Sequence, residues 1–309
     1  MRTPADITAL FADVYARVRP SAEGRGRVAD YIPELARVDP ERFGVYAVAL
    51  DGREAGYGGF DRGFSIQSIV KVVTLTLAYR DLGEALWTRV GVEPSGGAFN
   101  SLVQLEHDGG IPRNPMLNAG ALVVIDVLHD LFPDPLRATL AFLREVAGDE
   151  GIAYDEDVAA SELATGFRNE AVVQFMRSYG NVRHGLGDVM GTYCRLCAVV
   201  MSCRQLARAF TYLAARGESP VAGRRVVTRS CAQRISAVMQ MCGFYDEAGE
   251  FAYRVGLPGK SGVGGGIVAV HPGEYAIAVY SPRLNAKGNS VLGRAFLAEL
   301  TTVLGESIY

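Results

Sequence analysis

The chain has 309 residues, 49% of them hydrophobic and 21% charged, and a formal net charge of −3. That length can bury a large core in one domain or in two lobes. The near-neutral balance, without a Lys/Arg run, excludes nucleic acid as the main partner.

Residues 1–20, MRTPADITALFADVYARVRP, read as an amphipathic helix with acids among its apolar positions. They lack an apolar leader core and a small-residue cleavage site, so no signal peptide is predicted. No apolar run reaches membrane-spanning length, and a cytoplasmic protein is expected. Residues 29–36 predict a turn and then a short helix with Pro33 near its start. Residues 43–50 read as a strand, Asp51-Gly52 as a hairpin turn, and the glycine-rich residues 56–60 as a weaker return strand. Residues 64–78 run too long for one strand. They predict a buried helix that opens near Ser68 and ends at Gly83.

From about Asp81 to Gly223 the pattern is mostly helical. Pro94-Ser-Gly-Gly97 and Pro112-Arg-Asn-Pro115 read as loops. Asn118 reads as an N-cap opening a helix through Leu128. Residues 137–147, 156–179 and 193–216 repeat the helical period, and residues 180–191 read as a loop. The last third returns to strands, at 251–256, 265–270 and 275–280, with a turn at Pro272-Gly273 and a terminal helix over 289–304. Strands at both ends with helices between predict an α/β (α+β) fold with one antiparallel sheet assembled from the two ends. Two lobes follow, one from 1–80 with 224–309 that holds the sheet, and a helical one from 81–223.

Among 31 basic side chains only three are lysine: Lys71, Lys260 and Lys287. Arginine holds its proton in a protein, whereas a desolvated lysine can give it up. The scarcity points to proton chemistry at Lys71. Ser68-Ile-Val-Lys71 places two side chains three apart on one helix face, with Ser68 at the positive end of the helix dipole. An apolar surround lowers a lysine's pKa, and a neutral amine can take the serine's proton. Far downstream, Lys260-Ser261-Gly262 opens a glycine-rich run expected to follow a strand. Its backbone N–H groups, with that of Ser68, suit an oxyanion hole. Ser-x-x-Lys alone usually marks a solvated helix surface, and Lys-Ser-Gly alone a turn. Together, in order, they match serine acyl-transfer enzymes of the penicillin-recognising type.

The five cysteines do not build a site. Cys194 and Cys197 have C-x-x-C spacing, but they lie in an apolar helical run without a second pair or a nearby histidine. Buried thiols serving as small hydrophobes are the expectation. The four histidines are scattered, and neither a metal site nor a cofactor is predicted.

Longer blocks carry a resemblance. Gly-Arg-Val-Ala-Asp-Tyr31-Ile-Pro-Glu-Leu-Ala, Phe64-Ser-Ile-Gln67-Ser68-Ile-Val-Lys71, Glu93-Pro-Ser-Gly-Gly-Ala-Phe-Asn-Ser-Leu, Pro112-Arg-Asn-Pro-Met-Leu-Asn118, Cys242-Gly-Phe-Tyr245-Asp and Gly256-Leu-Pro-Gly-Lys-Ser261-Gly-Val263 run in order over nearly the whole chain. The sequence resembles the serine-dependent glutaminases of β-lactamase-like fold. The resemblance implies hydrolysis of L-glutamine to L-glutamate and ammonia without a cofactor, by a homodimer or homotetramer. It implies Ser68 as nucleophile, Lys71 as its base, and Tyr245 sharing proton transfer. It implies Val263 as the second oxyanion N–H. Tyr31, Gln67, Asn118, Glu162, Asn169, Tyr193 and Ser261 are implied to line the substrate pocket with Ser68 and Tyr245. Two positions depart from the family pattern. Val70 stands where bacterial members often have serine, and Phe244 where methionine is commoner, one residue before Tyr245. Rival readings are another serine amidohydrolase or β-lactamase-like enzyme, and a silent amino-acid sensor. Absence of Ser-Asp-Asn and of an export signal weighs against the first, and the intact Ser68, Lys71 and Tyr245 against the second.

Overall fold

A computed structural model of the protein describes residues 3–95 and 102–309. Most of the block at 93–102, including the end of the predicted loop at Pro94–Gly97, lies outside the described residues. Helix α1 (Pro4–Ala22) opens on a capping box between Thr3 and Asp6. Strands β1 (Gly44–Ala49) and β2 (Glu54–Gly58) form the hairpin around Asp51-Gly52. A two-residue strand β3 (Phe64–Ser65) leads through a 3-10 turn, Gln67–Ile69, into α2 (Val70–Leu82).

The helical middle contains α3 (Leu102–His107), α4 (Asn118–Leu131), α5 (Pro135–Ala147), β4 (Ala153–Tyr154), α6 (Glu156–Ala164), α7 (Phe167–Ser178) and α8 (Leu186–Cys197). Then come β5 (Val199–Met201), α9 (Cys203–Ala214) and the small hairpin β6 (Glu218–Ser219) with β7 (Arg224–Arg225). The last third holds α10 (Arg229–Cys242), α11 (Ala248–Arg254), β8 (Gly259–Ser261), β9 (Gly266–His271), β10 (Tyr275–Tyr280) and α12 (Val291–Leu304).

The main sheet is antiparallel with strand order β2-β1-β10-β9-β8, so both chain ends build it, as the alternation of strands and helices predicts. Successive strand residues face opposite sides, and here each side meets its own helices. Val45, Ile267, Ala269, Ile277 and Val279 join a core with Phe11 of α1 and Phe296 of α12. Tyr46, Val48, Val268, Val270, Ala276 and Ala278 join the larger core with α9 and the helical layers. Residues 70–79 of α2 are all buried. A helix apolar all round belongs inside a bundle, and Lys71 is carried into the core with it.

Several elements differ from expectation. Residues 251–254 form the second half of α11 rather than a strand, with Val255 as its C-cap. Ala248, Phe251 and Val255 are buried at helical spacing, and the Phe251 ring stacks on Phe244 at 3.6 Å. The predicted helix at 193–216 is interrupted by β5, which pairs with β3 and β4. That of 156–179 breaks at Thr165-Gly166, and α8 begins inside the stretch read as a loop. Lys260-Ser261 lies within edge strand β8 rather than after a strand. Asn118 is not the N-cap of α4: Leu117 holds that position, and the Asn118 side chain turns inward. No helix among the described residues is long and apolar enough to cross a membrane.

Candidate active site

Ser68 sits in the 3-10 turn that feeds α2, and the chain bends sharply to place it there. Gln67 has φ of +50°, a region non-glycine residues seldom adopt, and such strain persists only where surrounding contacts over-determine it. Those contacts are visible. A Cβ at Gly262 would lie 2.4 Å from the Ile66 carbonyl oxygen, and one at Gly264 2.3 Å from that of Ser65. The glycines after β8 therefore let that turn press onto the backbone just before the serine. The Gln67 side chain is tied too, donating to Ser65 Oγ at 2.9 Å and to Glu162 at 3.4 Å.

Lys71 follows one turn later, fully buried. Its Nζ donates to Asn118 Oδ1 at 2.6 Å and to the Met116 carbonyl at 3.2 Å. Burial pushes its pKa down from 10.5 to about 8, against the opposing pull of nearby Cys197 and Glu162. The two acceptors match the two N–H groups of a neutral amine and leave its lone pair free for a proton. The Asn118 amide nitrogen donates onward to Asn169 Oδ1 at 3.1 Å, and the Tyr193 hydroxyl donates to Asn118 Oδ1 at 3.4 Å.

Tyr245 arrives from the other side, on the turn between α10 and α11, with φ of +54°. Its phenol and the Ser68 hydroxyl line the same cavity, and the serine opposes the effect of burial on the phenol. Burial raises the phenol to about 12, so it is a proton donor rather than a base at neutral pH. Phe244, the departure from the family pattern, is buried and stacked on Phe251, which fixes the residue preceding Tyr245.

Ser68, Asn118 and Tyr245 meet at a cavity of about 210 Å³, lined also by Tyr31, Gln67, Glu162, Asn169, Tyr193 and Val263, with the Lys71 amine behind Asn118. Glu162 is the buried charge-bearing side chain of that wall. Burial raises it to about 7, against the opposing effects of the Gln67 amide that donates to it, the nearby Cys197 thiol and Lys71. Tyr31 stands at the rim, 59% exposed. Ser261 lies behind the wall: it is fully buried, and its hydroxyl donates to Asn289 Oδ1 at 2.6 Å.

Sequence reasoning missed Ile32, Thr165, Gly166 and the exposed Arg168, which complete the lining. Gly166 inside a helical run was the available signal for that break. It also missed Cys197, buried at the end of α8, whose thiol lies near enough to Glu162 and Tyr193 to shift both. Among the described residues no group of three or more His, Cys, Asp or Glu side chains is arranged to hold a metal.

A family model described as Glutaminase matches residues 26–309. The chain belongs to the glutaminase family. A glutaminase of Rhizobium rhizogenes (strain K84) is 54% identical over 307 residues, covering 99% of both chains. The solved structure of the probable glutaminase ybaS is 35% identical, with a TM-score of 0.89 over 97% of this chain and 98% of its own. A Bacillus subtilis glutaminase, YbgJ, solved as a covalent complex with 5-oxo-L-norleucine, is 27% identical. It superposes with a TM-score of 0.87 over 98% of this chain and 99% of its own. The glutaminase-type fold and its antiparallel sheet built from both chain ends are thus shared with solved members of the family.

Proposed function

We propose that this chain hydrolyses L-glutamine to L-glutamate and ammonia through an acyl-enzyme on Ser68. The observation that carries the reading is the convergence of Ser68, the Tyr245 phenol and the buried Glu162 carboxyl on one cavity, with the buried Lys71 amine one helical turn after Ser68. The cavity lies where the β8–β9 turn meets the helical layers, which supports the reading of one catalytic domain in two lobes.

Glutamine enters as a zwitterion. Glu162 as carboxylate pairs with its α-ammonium, and amide and phenol groups of Tyr31, Asn118, Asn169 and Tyr193 hold the α-carboxylate. Gln67 braces Glu162 from behind, and Ser261 supports the turn that carries Val263. Ser68 Oγ attacks the side-chain amide carbon while its proton passes to Lys71 Nζ. The N–H groups of Ser68 and Val263 receive the oxyanion. The tetrahedral intermediate collapses, the C–N bond breaks, and nitrogen leaves as ammonia with a proton from Lys71 delivered directly or through Tyr245. Water then attacks the glutamyl ester. Lys71 accepts its proton, and Ser68 regains one as glutamate departs. Family resemblance also supports assembly as a homodimer or homotetramer.

The test is Ser68→Ala with a glutamine–ammonia assay. Loss of nearly all ammonia release with an unchanged melting temperature is expected. Near-normal turnover would sink the reading. Incubation with 6-diazo-5-oxo-L-norleucine, followed by peptide mass spectrometry, should place the adduct on Ser68.

A further inference from the structure

Lys260 is as deeply buried as Lys71, yet no step above uses it. Its Nζ donates to the Gly243 carbonyl at 3.0 Å and to the Ser261 carbonyl at 2.6 Å. It also lies 4.6 Å from the centre of the Tyr245 ring. No carboxylate forms an ion pair with it among the described residues. A buried amine kept without a counter-charge is costly unless its hydrogens are used, and here they are used on β8 itself and on the Gly243 turn.

That turn is the one presenting Tyr245. Gly243 is pressed so closely onto β8 that a Cβ there would fall 1.8 Å from the Gly259 carbonyl oxygen. The Gly243 carbonyl accepts a second hydrogen bond, from the Ser261 N–H at 3.2 Å. Two residues on, Tyr245 takes its strained backbone angle and its ring comes to rest against the Lys260 amine. We propose that Lys260 is a positioning residue of the reaction: its amine clamps the Gly243 turn to β8 and seats the Tyr245 ring, so that the phenol meets Ser68. This rests on the reading in which Tyr245 acts on Ser68.

The choice of lysine in an arginine-rich chain then has a reason. The amine has two N–H groups for the two carbonyls in either protonation state, and arginine would bring a wide, permanently charged fork. Burial first, and the charge of Lys71 second, push Lys260 well below the ordinary lysine range, which arginine could not follow.

The experiment combines Lys260→Met and Tyr245→Phe singly and together, with steady-state kinetics on glutamine and melting temperatures. Lys260→Gln is measured alongside because its amide keeps two N–H donors and guards against unfolding of the methionine variant. Tyr245→Phe and Lys260→Met are each expected to lower kcat by about 10²-fold, with KM changed by less than about three-fold. In the Tyr245→Phe background, Lys260→Met should cost less than about three-fold more, because its effect runs through the phenol. Equal losses in both backgrounds would overturn the proposal while leaving the Tyr245 reading intact. A fully active Tyr245→Phe would overturn that reading, and the proposal with it. Loss of fold in both Lys260 variants would make the residue part of the core alone and would likewise overturn the proposal.

Discussion

The Lys71 amine donates to the side-chain oxygen of Asn118 across 2.6 Å, although 47 positions of sequence separate the two. A neutral amide there accepts a hydrogen bond without adding a negative charge that would hold the proton on the amine. Asn118 thus orients the lysine while leaving its lowered pKa in place.

The first prediction concerns that pair. A general base must be unprotonated, so kcat should rise with pH through about 8, the value burial imposes on Lys71. Asn118→Asp places a carboxylate on the amine and should move this limb upward by at least about one unit. Lys71→Arg should be as inactive as Lys71→Ala, each down by roughly 10²–10⁴ in kcat. A rate–pH profile for each variant checks this. An arginine variant keeping a tenth or more of the activity would show that charge, not proton transfer, is what matters.

Glu162 is raised by burial to about 7. As pH falls through that value the carboxylate becomes neutral and loses its hold on an α-ammonium, so KM for glutamine should rise on the acid side. Linkage gives the stability sign. The folded value lies above the unfolded one, so the empty protein loses stability as pH climbs from the ordinary carboxyl range through about 7. Glu162→Gln should raise KM, flatten its pH dependence, and make the empty protein more stable than wild type at pH 8. Urea titrations at two pH values and a KM–pH series measure both effects.

Gly262 is close-packed against the Ile66 carbonyl. Gly262→Ala forces that contact apart and displaces the strained turn that carries Gln67 and Ser68. The expected cost is about 1–3 kcal/mol of stability, as for overpacking a filled core, together with at least a ten-fold loss in kcat, an order typical of misplaced catalytic groups. Chemical denaturation and kinetics separate the two. A variant that is destabilised but fully active would show that the turn relaxes without moving Ser68.

Asp126 is fully buried on α4 and anchors the start of α8 from a distance. It accepts from Arg89, from the N–H groups of Arg183 and His184, and from His184 Nδ1. Burial alone would raise its pKa, but these donors outweigh burial and hold it below the usual carboxylate range. Asp130 faces the same Arg89, Arg183 and His184, and the His129 ring lies 5.2 Å from that of His184. Asp126→Asn leaves Arg89 without its buried carboxylate and should cost about 3 kcal/mol. The depressed carboxylate contributes stability above its unfolded pKa and loses it as pH falls through the folded one. The difference from wild type should therefore shrink below about pH 4 in urea titrations.

Much of the fold was legible because its signals are local. The β1–β2 hairpin follows from the apolar, β-branched run before the Asp51-Gly52 turn and its glycine-rich return, and strands β9 and β10 from apolar runs either side of Pro272-Gly273. Residues 251–256 misled because a short, mostly apolar stretch of six residues fits a strand and a helix equally. The stack of Phe251 on Phe244 decides for the helix. The helix predicted over 193–216 failed because β3 and β4, far away in sequence, recruit residues 199–201 as their partner strand.

For the site, the sequence by itself determined the reacting types and their spacing: a serine and a lysine three apart at a helix start, in a chain that otherwise avoids lysine. It also marked the glycine run after Lys260 as part of the site, and the structure presses two of those glycines onto the backbone before Ser68. Only the tertiary structure decided which partners these residues have. Asn118 serves Lys71 rather than capping its helix, Ser261 turns to Asn289, and Lys260 lies under Tyr245. The physical reason is range. Helix spacing and turn chemistry act over a few residues, whereas burial, proton affinity and hydrogen-bond choice depend on which distant segments the packed core brings alongside.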